Sequence, residues 1–114
     1  MKTNYRVSYS PESRKDLKEF NKSQRQQIYN AINKISVNPL PQNEGGYGKP
    51  LGHKQGRNLT GLCKIVLKQL GIRVVYEVIR KGNIMEIIVV AARADEEVYD
   101  IALKRISSFR DRQP

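Results

Sequence analysis

The chain has 114 residues, with 21 Lys and Arg against 11 Asp and Glu, one histidine, one cysteine and a formal net charge of +10. That length holds one modest core, and 39% apolar residues with no tryptophan make it an aliphatic one. A lone cysteine excludes an internal disulfide, no run approaches the roughly 20 apolar residues of a membrane helix, and the opening MKTNYRVSYSPES lacks an apolar signal block. The expectation is one intracellular, cytoplasmic domain over residues 1–114. Its surplus charge points to a polyanionic partner: nucleic acid, an anionic membrane face or an acidic protein.

Taken in order, Tyr5, Val7 and Tyr9 alternate with Arg6 and Ser8, which predicts a short strand. Ser10-Pro11 is an N-cap with proline at the first helical position, and the helix it starts buries Leu17 and Phe20. Ser23 and Gln26 fit a capping box for a second helix, in which Ile28, Ile32 and Ile35 form one apolar stripe beside Ala31. Asn38-Pro39 ends it.

Residues 39–61 hold three prolines, six glycines and the only histidine, and are expected to form a long loop. Three strands follow, over about residues 62–68, 72–79 and 84–92, with a tight hairpin at 80–83. Their short connections imply an antiparallel meander, since a parallel crossover needs a dozen or more residues. Asp95, Glu96 and Glu97 then open a C-terminal helix, where the helix dipole favours acids. Val98, Ile101, Ala102 and Ile106 supply its stripe, and residues 107–114 read as a polar tail. The fold class is α+β: an N-terminal strand and a helical hairpin on a small twisted antiparallel sheet, with a C-terminal helix.

Strand parity places the charged residues. Arg73 shares a face with Val75, Glu77 and Ile79, opposite Ile72, Val74, Tyr76 and Val78. Lys64, Val66 and Lys68 oppose Cys63, Ile65 and Leu67. Unbroken parity along Met85, Ile87, Val89 and Ala91 continues to Arg93, although a twist or bulge at the strand's end would turn that arginine. A sheet face carrying Lys64, Lys68 and Arg73 suits RNA, because guanidinium groups bind phosphate bidentately. Each residue also has a structural explanation. Arg73 could lie flat with its head in water or pair with Glu77, and Arg93 could pair with Asp95 or Glu96. Tyr99 could be a half-buried helix tyrosine. His53 is read as a loop contact and Cys63 as a small core residue. No set of side chains at metal-ligand spacing is present, so neither a metal nor another cofactor is expected.

The strings CKIVLKQLGIRVVYEVI and VVAARADEEVYDIALKRI resemble the C-terminal half of the RelE/ParE toxin superfamily, and in particular its RelE-like mRNA interferases. The resemblance extends to YRVSYSPESRKDLKEF and to the segment entering NLTGLCKI. It implies the toxin of a type II toxin–antitoxin pair, a metal-independent, ribosome-dependent endoribonuclease that cuts mRNA in the A site. In the implied reaction the ribose 2′-OH attacks its own 3′-phosphate and leaves a 2′,3′-cyclic phosphate and a 5′-OH. Carried over, Arg73 holds the scissile phosphate, while Arg93 stabilises the transition state or protonates the leaving group. Tyr99 stacks on a base and orients or activates the 2′-OH, and Lys64 is the first of two family lysines. The second family lysine falls on Val66, so Lys68 or one of Lys49, Lys54 and Arg57 is expected to compensate. Those four are expected to contact RNA or the ribosome.

The implied partners are a cognate antitoxin, the ribosome with its RNA, and mRNA; no membrane is among them. Two alternatives remain at this point: a ParE-like inhibitor of DNA gyrase without nuclease activity, and a catalytically weak, basic RNA-binding homologue.

Overall fold

In the computed structural model of the chain, residues 5–111 are described. They form β1 (Arg6–Tyr9), α1 (Pro11–Leu17), α2 (Lys22–Ser36), a 3-10 turn (Gln42–Glu44), β2 (Lys49–Lys54), β3 (Arg57–Leu67), β4 (Ile72–Ile79), β5 (Ile84–Ala91) and α3 (Asp95–Asp111). The strands make one sheet in the order β1-β5-β4-β3-β2. β2 to β5 pair antiparallel, as short connections require. β1 lies parallel to β5, with Arg6 beside Ile84 and Tyr9 beside Ile87, so the sheet is mixed rather than wholly antiparallel. The helical hairpin after β1 supplies the first part of the long return that a parallel pair needs.

Ser10 caps α1 as expected, its Oγ accepting from Ser13 N–H at 3.1 Å, with Pro11 opening the helix. The cap of α2 differs. The capping box is Asn21 with Gln24, closed by bonds of 2.8 and 2.9 Å, and not Ser23 with Gln26. Starting two residues earlier, the box satisfies the Asn21 and Gln24 N–H groups instead, and Ile28 and Ile32 are fully buried as expected. The expected loop over 39–61 is also corrected, because it contains the 3-10 turn, β2 and the start of β3. Lys49, Lys54 and Arg57 therefore stand on strands. At the other end, α3 continues to Asp111, through the first part of the expected tail; residues 112–114 lie outside the described residues.

Helices cover both faces of the sheet. α1 and α2 enclose one core around Leu17, Ile28, Ile32, Val74, Tyr76 and Met85. α3 packs across β3, β4 and β5 and encloses a second around Leu59, Leu62, Val75, Val89, Val98 and Ala102. The face expected to be open is thus partly roofed by α3.

The strand parity of β5 is broken once. Val75 pairs with Val89 but Tyr76 pairs with Ile87, so Ile88 is an extra residue, a β-bulge. Met85 and Ile87 face the α1–α2 core, whereas Ile88, Val89 and Ala91 face α3. β5 ends at Ala91, and Arg93 follows in the bend before α3, where its carbonyl accepts from Arg73.

β1 ends opposite Ile87, which leaves the outer edge of β5 uncovered beyond that point. Asp16 of α1 and Arg105 of α3 close it. Asp16 Oδ2 accepts from Val90 N–H at 2.9 Å, and Arg105 Nη1 donates to Ile88 C=O at 2.8 Å. The two side chains also meet bidentately at 2.7 and 3.0 Å. This clasp ties both helices to the bulge.

Cys63 is 1% exposed, under Gly48, where an added Cβ would lie 3.0 Å from its Sγ and 2.3 Å from Tyr76 Oη. Burial pushes the thiol above its ordinary value, against a weaker opposing effect from its hydrogen bond with Tyr76. Access and ionisation are therefore both unfavourable. Native protein at pH 8 should show no prompt reaction with DTNB and one equivalent after unfolding in guanidinium. A prompt native-state reaction would contradict this packing.

Candidate functional site

Three elements meet where the chain leaves β5 and enters α3. β3 presents Lys64, β4 presents Arg73, and α3 presents Asp95 and Tyr99. Arg73 is flanked by Val66 on β3 and Ala91 on β5, so its stem runs between two strands. Its Nε donates to Asp95 Oδ1, and its Nη1 donates to the Arg93 carbonyl at 2.8 Å. Lys64 Nζ lies 3.7 Å from Asp95 Oδ2 and donates to Tyr99 Oη at 3.0 Å. The cluster therefore holds two strand cations, one carboxylate and one phenol.

The expected residues fare differently. Arg73, Lys64 and Tyr99 come together. Arg93 joins through its backbone carbonyl, while its exposed guanidinium turns to Glu97, 3.3 Å away and one helical turn along. Tyr99 is 6% exposed and its ring belongs to the α3 core. In this conformation its hydroxyl reaches the site and its face is occupied, which departs from the expected base stacking. Arg73 takes Asp95 as its partner; Glu77, four residues along the same strand, is roughly 13 Å away along the backbone.

Among the other basic residues, Lys49 is the cross-strand neighbour of Lys64 and is exposed. It extends the positive surface by one strand. Lys54 and Arg57 sit at the far end of the β2–β3 ribbon, and Arg57 is seven residues from Lys64, or roughly 23 Å. Arg57 is engaged by Asp100 of α3, through Nε and through Nη2 at 3.3 Å, and this hydrogen bond holds the Asp100 carboxyl below its usual range. Lys68 lies in the β3–β4 turn, lining a shallow groove with Gln27 and Asn30 of α2. Val66 is directly across from Arg73. His53 is exposed on β2, opposite Asn58.

Asp95 is the residue whose part the sequence left unread. It was visible as a helix-starting acid and as a partner for Arg93, but its bridging of Arg73 and Lys64 depends on how α3 folds back over the sheet. A cleft of about 810 Å³ lies elsewhere, against β1 and the far end of β5. Its rim mixes Arg6, Arg14 and Arg105 with Glu12, Glu77 and Glu86, and so lacks the one-signed charge of a phosphate site. Among the described residues no three His, Cys, Asp or Glu side chains gather as a metal site would require, and no helix is long and apolar enough to cross a membrane.

No family model and no curated protein matches the chain. Solved structures do. A mutant of the Escherichia coli toxin RelE in the free state matches with a TM-score of 0.72 and 23% identity, covering 91% of this chain and 99% of that one. The isolated E. coli RelE toxin gives 0.63 and 24%, over 90% and 98%. A RelBE2 toxin–antitoxin complex from Mycobacterium tuberculosis gives 0.62 and 22%, over 82% and 95%. At these identities the likeness shows the fold: this chain has the α+β fold of the RelE toxins.

Proposed function

We propose that this chain is the toxin of a type II toxin–antitoxin pair and acts in the cytoplasm as a ribosome-dependent endoribonuclease on mRNA. The observation that carries the reading is the meeting of Arg73, Lys64 and the Tyr99 hydroxyl at the end of β5, within the RelE fold and on a chain of charge +10. The named neighbours include RelE with its antitoxin RelB, which supports an antitoxin as partner here too. The gyrase alternative draws no support from these neighbours.

The chemistry needs a proton acceptor for the 2′-OH, a proton donor for the departing 5′-oxygen, and cations on the phosphorane between them. Arg73 is built for the last task. Its neighbours across the sheet are Val66 and Ala91, and its fork, which Asp95 and the Arg93 carbonyl hold in the free protein, matches two phosphate oxygens once released. Lys64 adds a second cation and holds the Tyr99 hydroxyl, which faces the site as the group that orients the 2′-OH. Arg93, exposed at the strand's end, reaches the leaving-group side once it releases Glu97. As the 2′-oxygen bonds to phosphorus its proton passes to water, the P–O5′ bond breaks, and the 5′-oxygen takes a proton from Arg93, which regains one from water. The products are a 2′,3′-cyclic phosphate and a 5′-OH. Lys49 is the best placed basic residue to stand in for the lysine replaced by Val66, because it flanks Lys64.

The test is cleavage mapping on programmed ribosomes with purified protein, beside free mRNA. Cuts within the A-site codon that leave 2′,3′-cyclic phosphate ends are expected. Demonstrably folded protein that makes no cut would sink the enzyme reading.

A further inference from the structure

Asp95 holds the same two cations that a substrate phosphate would need. Its Oδ1 takes Arg73 Nε, and its Oδ2 lies 3.7 Å from Lys64 Nζ. A carboxylate and a phosphate accept from an arginine fork in the same way, through two oxygens, so one N–H set cannot serve both in full. The cations are mounted on β3 and β4, inside the sheet, whereas Asp95 is the first residue of α3, where the chain has just left β5. Its side chain is partly exposed, so a rotamer change moves the carboxylate to solvent without moving either strand. There it remains at a helix N-terminus, where an acid is favoured.

We infer that Asp95 is an internal stand-in for the RNA phosphate: the scissile phosphate enters by displacing its carboxylate, and Asp95 thereby sets how tightly the site holds RNA. This rests on the ribonuclease reading only in naming the phosphate as that of RNA. A carboxylate on Arg73 and Lys64 leaves the pair with one net positive charge in the free protein. Its removal leaves two, on side chains already aimed at a common point.

The experiment measures binding and not cleavage. A short fluorescein-labelled 2′-O-methyl oligoribonucleotide, which lacks the attacking hydroxyl, is titrated at fixed ionic strength with wild type, Asp95→Asn, Asp95→Ser and Glu96→Gln. Glu96→Gln adds the same unit of charge on the same helical turn, at an exposed residue outside the cluster. Both Asp95 variants should bind roughly tenfold more tightly than wild type, the size of a charge-assisted hydrogen bond removed from competition, and Glu96→Gln by about twofold or less. Thermal melts check that each variant is folded, and asparagine and serine are both accepted at helix starts. Asp95 variants that tighten binding no more than Glu96→Gln, that weaken it, or that like wild type do not bind at all would overturn the inference. Ribosome cleavage decides the other reading separately. Tighter RNA binding by Asp95→Asn without any cut from wild type would keep the stand-in and discard the nuclease.

Discussion

Replacing Arg73 by alanine is expected to lower mRNA cleavage on programmed ribosomes by on the order of 10²–10³-fold, the usual cost of losing one preorganised donor to a developing oxyanion. The loss should fall on kcat, since the guanidinium matters most as charge builds on the phosphorane. Arg73→Lys should recover only part of it, because an ammonium has no fork to match two phosphate oxygens. Stability should change little. Arg73 and Asp95 are partly exposed, and such pairs contribute about 1 kcal/mol or less. A solvent-facing arginine with no catalytic part makes a different forecast, in which rate and melting temperature both stay near wild type. Single-turnover cleavage measured beside thermal unfolding separates the two, and a rate within about threefold of wild type would exclude the assigned role.

The largest effect on stability is expected at Asp16, far from the proposed chemistry. Asp16→Ala removes the acceptor for Val90 N–H and both acceptors for Arg105, leaving that guanidinium partly buried with the Ile88 carbonyl as its described partner. Breaking one side of such a pair should cost about 2–4 kcal/mol, which lowers the melting temperature of a domain of this size by about 10–20 °C. A comparator is at hand. Glu44 and Arg80 form an equally short bidentate pair, 2.8 Å at each contact, but both side chains are well exposed. Glu44→Ala should lower the melting temperature far less than Asp16→Ala does, because water screens an exposed pair. Equal losses at the two sites would show that the clasp does not hold α1 and α3 to β5.

How far the sequence foretold this depends on the range of each interaction. β4 is where alternation put it and β5 one residue shorter, because both are apolar runs long enough for their pattern to speak. The first helix was marked by Ser10-Pro11. The cap of its successor was placed two residues late, at Ser23 with Gln26 instead of Asn21 with Gln24, and nothing local separates them, since asparagine and serine cap about equally well. β2 was missed because it contains a proline and a glycine and buries only Leu51; its register comes from β3, not from its own pattern. The bulge at Ile88 was invisible, since one isoleucine in the run IIVVA looks like any other. In the site, Lys64 and Arg73 were legible as cations out of place on apolar strands, and Tyr99 only through the family resemblance. The Asp95 bridge spans 22 residues of sequence and the Asp16–Arg105 clasp 89, and no periodicity reports such meetings.

The bulge gives β5 one residue more than its ladder with β4 requires. That surplus is a tolerance for deletion. Loss of Ile88 would remove the bulge and leave Val89 and Ala91 on the faces they now occupy, at the expense of the clasp. β4 has no such spare: deleting one residue between Arg73 and Tyr76 would turn either the arginine or the core tyrosine to the wrong side of the sheet. Single-residue deletions along these two neighbouring strands should therefore separate fold from activity. Loss of Ile88 would weaken the protein and keep the site's handedness; a deletion in β4 would destroy one or the other.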